Sequence, residues 1–317
     1  MNSSQIAYIE PLESAWGRMK DLLFRPFDIS RWLVIGFCAW LATLGKDGGG
    51  GLFNFPADHR TGGLKEIGVF IHQHLALIIS IVTGAVVFAV IVGLVVAWLS
   101  SRGKFMLLDN ALTSRAEIVD PWRCWRKQGN SLFFWLIAYG FIMLGVLLVI
   151  VGCCIGLAWQ DIHAKIFGGW AIMAIIAGFF LLIPTGLIAG YIKVFLADFV
   201  VPLMRKHNLK TNAAWRLFLP LLRAHLGPFL LYGVIRFVVD LVVSFALVCA
   251  GCLTCCCLFC ICALPYIGTV LLLPLYVWQR YWGVEFMRQF GPDYDAWVLV
   301  PPTLNTSVPA TTTEHME

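Results

Sequence analysis

A chain of 317 residues with 60% hydrophobic side chains, 13% charged residues and a mean hydropathy of +0.81 is too apolar for a soluble globule, whose apolar share is roughly 45 to 50%. Its net charge of +5 is sorted by loop, as described below, which is a topology signal and excludes the concentrated basic footprint of a nucleic-acid binder. The composition predicts an all-α, polytopic helical membrane protein.

The first 30 residues carry Glu10, Glu13, Arg18, Lys20, Asp21 and Arg25 with no apolar core between them, so no cleavable signal peptide is expected. Within them Leu12, Trp16, Met19 and Leu23 recur at helical spacing, with Glu13, Arg18, Lys20 and Asp21 on other faces. That pattern predicts an amphipathic helix lying on a membrane surface. Six apolar runs follow, at 32–44, 76–99, 132–159, 166–196, 228–248 and about 258–282. The first is short: 13 residues reach about 20 Å against a hydrocarbon core of roughly 30 Å. Six spans are therefore expected, with five and a half-span as the alternative.

Between the first two runs lies a glycine-rich stretch, 45–63. It has four consecutive glycines but no Gly-Lys-Ser/Thr ending, so a flexible outer loop is expected and a phosphate loop is not. The connector 191–232 joins the fourth and fifth runs through a basic loop and a short amphipathic stretch. Beyond residue 300 the chain turns polar and proline-bearing, and 301–317 is expected to be a disordered cytoplasmic tail. Its Asn305-Thr306-Ser307 sequon then stays unmodified. With the N-terminus inside, the inner loops and ends hold 18 of the 23 Lys and Arg and the outer loops hold 4. This bias places both termini in the cytoplasm.

A repeat underlies the runs. Tryptophan preceded by Ala or Pro opens an amphipathic stretch at Trp16, Trp122 and Trp215 and returns at Trp297, at spacings of 106, 93 and 82 residues. In the second stretch Ile118, Trp122 and Trp125 oppose Arg123, Arg126 and Lys127; in the third Trp215, Leu219 and Leu222 oppose Arg216 and Arg223. Three hairpins, in units of about 11–120, 121–213 and 214–296, are predicted within a single membrane domain over 1–300. Each is preceded by an interfacial helix anchored by Trp16, Trp122 or Trp215. The competing reading makes these stretches cytoplasmic ends of spans packed on one another. Exits match as well: Lys104 precedes Asp109 as Lys193 precedes Asp198, and Pro184 precedes Tyr191 as Pro274 precedes Tyr281. A shared proline kink in the second helix of units two and three is expected.

Ionisable residues supply the candidate site. Arg236 and Asp240 fall inside the fifth run at i, i+4, where each charge costs roughly 2.5 to 3.5 kcal/mol and needs a partner facing the bundle. Arg placed before Asp is the weaker helical order, leaving Arg236 free to reach toward Asp198 or Glu285. Asp198 and Lys193 complete the candidate set, with a structural ion pair and a ligand site as equal readings.

Seven of the eleven cysteines cluster at 249–262, and Cys153 and Cys154 sit on the same outer side. Their apolar neighbours favour packing over a disulfide or a zinc site. Outer His59, His72, His74 and His163 with Asp47, Asp58 and Asp161 show no ligand spacing, and no metal or cofactor is expected.

The run 263–297 and the segment LLFRPFDISRWLVIGFCAWL near the N-terminus resemble uncharacterised bacterial multi-pass membrane proteins of domain-of-unknown-function type, which implies a bacterial inner membrane and no activity. The layout is more loosely similar to the membrane domain attached to some glycerophosphodiester phosphodiesterases. No catalytic barrel accompanies it here, so no phosphodiesterase activity is implied. The function expected is non-enzymatic: handling or sensing a lipid or small molecule, or organising partners in the membrane. A transporter and an intramembrane lipid-modifying enzyme are the alternatives. Membrane lipids are the expected partners, with a second copy or another membrane protein also open.

Overall fold

In lipid the polar groups of the backbone must find their hydrogen bonds within the protein, and helices provide them within one segment. The computed structural model describes residues 6–51, 75–164, 168–254, 257–264 and 266–298, and every regular element among them is helical. In order these are α1 (Ile9–Phe24), α2 (Ile29–Gly51), α3 (Leu75–Thr113), α4 (Val119–Cys124), α5 (Arg126–Ala164) and α6 (Gly169–Phe195). A π-helical turn (Leu196–Val200) leads into α7 (Val201–His207). Then come α8 (Thr211–Ala224), α9 (Leu226–Leu253), α10 (Cys257–Ala263), α11 (Ile267–Leu271), α12 (Leu273–Arg288) and a 3₁₀ turn (Pro292–Tyr294).

Four stretches among the described residues are long and apolar enough to cross a membrane: Ile79–Thr113, Arg126–Asp161, Gly169–His207 and Leu226–Leu253. The first and last of the six expected runs take other forms. The first is the shorter apolar helix Ile29–Leu44 within α2. The last is divided among α10, α11 and α12, with Tyr266 in the left-handed region at φ 72°. Pro274 lies in the first turn of α12, where its missing N–H leaves no helical bond unmade. Pro184 by contrast sits inside α6. The shared kink expected of the two prolines is therefore absent: Pro274 begins a helix.

Helix α2 runs antiparallel to the basic end of α3. Ser100 Oγ donates to Ala42 O at 3.0 Å, Asn110 Nδ2 to Cys38 Sγ at 3.3 Å, and the Arg31 side chain to Ser114 O. A Cβ on Gly103 would lie 2.5 Å from the backbone of Leu41 and Ala42, so this contact tolerates only glycine. Leu44 is thus level with about Ser101, and α3 continues outward from there for roughly 20 residues, or about 30 Å.

The helices converge at that same end. One buried cluster takes Ala15, Met19 and Leu23 from α1, Ile35 and Ala39 from α2, Phe105 and Leu108 from α3, Phe199 from the π turn, Phe218 from α8, Phe229 and Tyr232 from α9, and Trp282 and Phe286 from α12. Phe199 alone meets Phe195, Phe218, Phe229, Tyr232 and Phe286 with ring centroids 4.9 to 6.0 Å apart, each such pair adding roughly 0.5 to 1.5 kcal/mol beyond its area. Away from this cluster α3, α5, α6 and α9 present bare apolar faces, with Phe88, Phe141, Phe180 and Phe237 all exposed. Such faces are at home only in hydrocarbon.

Helices α1 and α12 close on one another. Trp278 Nε1 donates to Leu12 O at 3.2 Å, Gln289 exchanges two hydrogen bonds with Ala7, and Arg18 Nε lies 2.6 Å from Glu285 Oε1. Helices α1 and α8 match the predicted amphipathic stretches, whereas the second stretch is broken at Trp125 between α4 and α5. The glycine-rich loop past Gly51, Asp58, His59, His72, His74, Cys255, Cys256 and the tail 301–317 with Asn305 lie outside the described residues.

Candidate ligand-binding cavity

The site begins with a proline. Val201 N–H bonds to Leu196 O across five residues, the π pattern, and in that pattern the next donor, for Ala197 O, belongs to Pro202, which has none. Arg280 of α12 fills the gap, its Nη1 donating to Ala197 O at 2.5 Å. Local widening of this kind is frequent at functional sites, and it sets Asp198 among α9 and α12. Gly283 permits the approach: a Cβ there would lie 2.7 Å from Asp198 Cβ and 2.8 Å from its carbonyl oxygen.

Asp198 is 6% exposed. Its Oδ2 accepts from Tyr232 Oη at 3.0 Å and lies 3.6 Å from Arg236 Nε. Arg236, also 6% exposed, turns Nη1 toward Asp240 Oδ1 at 3.3 Å and lies 5.7 Å from the Trp282 ring. Gln279 Nε2 donates to the same Asp240 oxygen at 2.9 Å. Despite its two carboxylate neighbours, Arg236 Nη1 is buried without a partner in hydrogen-bond geometry. The alternative partner Glu285 is engaged elsewhere, by Arg18 and by Trp297 Nε1 at 3.0 Å.

These groups wall a cavity of about 390 Å³. All four charged candidates, Arg236, Asp240, Asp198 and Lys193, line it. So do two cations that sequence reasoning did not assign to the site, Lys104 of α3 and Arg280. The pairing of Lys104-Asp109 with Lys193-Asp198 was the available signal for the first; nothing local marks Arg280. Ala42 of α2, Leu132 and Leu136 of α5, and Val194 and Leu196 supply apolar lining. Four cations face two carboxylates, leaving a formal excess of two positive charges.

The cavity sits where the bundle opens. From Ser100, Leu136 and Lys193 at its wall, α3, α5 and α6 each run outward for roughly 21 to 25 residues, about 32 to 38 Å, against a hydrocarbon core of roughly 30 Å. Helix α9 runs about 20 Å beyond Asp240 before turning at Thr254.

The other singled-out residues lie apart. Trp16 is 46% exposed and meets Trp278 edge-on at 5.7 Å. Trp122 is partly buried between Trp98 at 5.8 Å and the Arg102 guanidinium at 4.8 Å, and Trp215 stacks on Trp135 at 5.7 Å. Asp109, the counterpart of Asp198, pairs with Arg205 Nε at 2.8 Å. Each matched aspartate thus holds an arginine from another helix.

Cys153, Cys154, Cys249, Cys252, Cys260 and Cys262 are free thiols. Asp161 Oδ2 accepts from Ala171 N–H at 2.8 Å at the start of α6, and His163 packs on Trp159 at 4.7 Å. Among the described residues no three His, Cys, Asp or Glu side chains are placed to hold a metal ion.

No curated protein and no solved structure matches the chain. Residues 6–296 match a family of unknown function, DUF7544, and the chain belongs to that family.

Proposed function

We propose that this member of a family without an assigned function is a multi-pass protein of a bacterial cytoplasmic membrane that binds, and does not transform, a lipid-phase ligand in the cavity between α3, α6, α9 and α12. The observation that carries the reading is the mixed lining of the cavity. Charged side chains from four helices line the cavity together with Leu132, Leu136 and Val194; with the long helices threading a bilayer, this lining lies at the depth where a lipid changes from headgroup to chain. Pockets for small molecules combine an apolar lining with a few placed polar groups in the same way.

In this reading the chain crosses the membrane six times as three hairpins. The first crossing is completed by α2 and the last by the broken series α10, α11 and α12. The packing of α1 against α12 supports an even number of crossings, since it gathers both ends on one side. The excess of Lys and Arg at that side supports its being cytoplasmic.

Photocrosslinking with a phospholipid carrying a diazirine near the first acyl carbons tests the proposal. Adducts are expected on Leu132, Leu136 and Val194 and lost in Ala97→Trp, which fills the wall. Adducts confined to the outer faces of α3 and α5, unchanged in that variant, would overturn it.

A further inference from the structure

The geometry points to a phosphate monoester as the polar part of the ligand, an assignment that rests on the cavity reading above. Three features converge on it. The first is charge balance: Lys104, Lys193, Arg236 and Arg280 outnumber Asp198 and Asp240 by two, and a phosphate monoester carries roughly −1.5 to −2 at pH 7. A diester or a carboxylate brings one negative charge, and a zwitterionic headgroup brings none.

The second feature is an unspent donor. Arg236 is 6% exposed in the cavity wall, and its Nη1 is ion-paired with Asp240 Oδ1 at 3.3 Å yet makes no hydrogen bond. The ion pair leaves that donor without a hydrogen bond, and an anion in the cavity supplies an acceptor for it. The third is direction. The four cations stand on α3, α6, α9 and α12 and so approach the cavity from separate walls. A tetrahedral group offers oxygens to several walls at once, while a planar carboxylate is met best by a single bidentate fork.

A phosphate monoester can reach this cavity as the headgroup of a lipid, as in phosphatidate, or as a soluble phosphoester, and binding separates the two. Purified protein in detergent is titrated with dioleoyl phosphatidate, dioleoyl phosphatidylcholine, dioleoylglycerol or glycerol 3-phosphate, with thermal unfolding and native mass spectrometry as readouts. Phosphatidate is expected to raise the unfolding temperature and to bind at least tenfold more tightly than phosphatidylcholine or dioleoylglycerol. Lys193→Gln removes an exposed cation without opening the core, and is expected to weaken phosphatidate about tenfold, the scale of one hydrogen bond to a charged group.

Four outcomes divide the claims. Phosphatidate binding without glycerol 3-phosphate binding supports both the lipid reading and the phosphate assignment. Glycerol 3-phosphate binding as tightly as phosphatidate supports the phosphate and removes the lipid. Equal binding of phosphatidate and dioleoylglycerol, unaffected by Lys193→Gln, removes the phosphate and leaves the lipid. Binding of none of the four overturns both.

Discussion

Replacing Arg236 by Leu strips two carboxylates of a shared cation, and the geometry ranks the consequences. Asp198 is 6% exposed and keeps only Tyr232 Oη as a donor, whereas the Asp240 side chain is 41% exposed and retains Gln279. Breaking a buried ion pair from one side costs roughly 3 to 5 kcal/mol, because the remaining charge stays buried; an exposed pair is worth about 0 to 1 kcal/mol. Arg236→Leu is thus expected to lose about 3 to 5 kcal/mol, nearly all through Asp198. Two double-mutant cycles in detergent, 236 with 198 and 236 with 240, measured by reversible unfolding, read the partition. Coupling of about 1 to 3 kcal/mol is expected for the first and less than about 1 kcal/mol for the second. The Nη1 to Asp240 distance of 3.3 Å is the shorter of the two, so distance and burial make opposite forecasts. Coupling to Asp240 equal to or above that to Asp198 would refute the claim that burial decides.

Ser114 and Asn212, exposed beside the basic end, are expected to accept an impermeant thiol reagent only after permeabilisation, when each is changed to Cys in a cysteine-free chain; labelling in intact cells would reverse the orientation. Gly283→Val forces α12 away from the π turn and is expected to cost about 1 to 3 kcal/mol in unfolding experiments. Gly17→Ala, with no atom within 4 Å of the added carbon, is expected to gain about 0.5 to 1 kcal/mol. Equal effects of the two substitutions would show that the contact at Asp198 is not tight.

What could be read from the sequence was whatever depends on one helix at a time. Apolar length announced the long helices α3, α5, α6 and α9, and the cost of charge in hydrocarbon marked Arg236 and Asp240 before any neighbour was known. Asp198 and Lys193 entered as parts of a repeat and proved to line the same cavity. The rest depends on side chains from distant helices meeting. Arg280 reaches the cavity because Pro202 withdraws a donor 78 residues earlier in the chain, a relation that no periodicity carries. The last apolar run has the length of a span, and only the backbone at Tyr266 and Leu272 reveals that it turns. Likewise Trp122 and Trp215 have the spacing of surface anchors, yet their rings pack on Trp98 and Trp135.

The contacts between α1 and α12 also set a schedule for biosynthesis. Ala7 and Gln289 are 282 residues apart, and Leu12 and Trp278 are 266 apart. At roughly 5 to 20 residues per second, α1 leaves the ribosome about 15 to 50 s before its partner helix exists. Throughout that interval Met19 and Leu23, which end up wholly enclosed, lack the α12 part of their cluster, although Trp32 of α2, which donates to Leu23 O, is already made. Cavity walls drawn from α3 and α6 wait equally for Arg280. A chain truncated before α12 therefore lacks Arg280 and Gly283 at the Asp198 pocket.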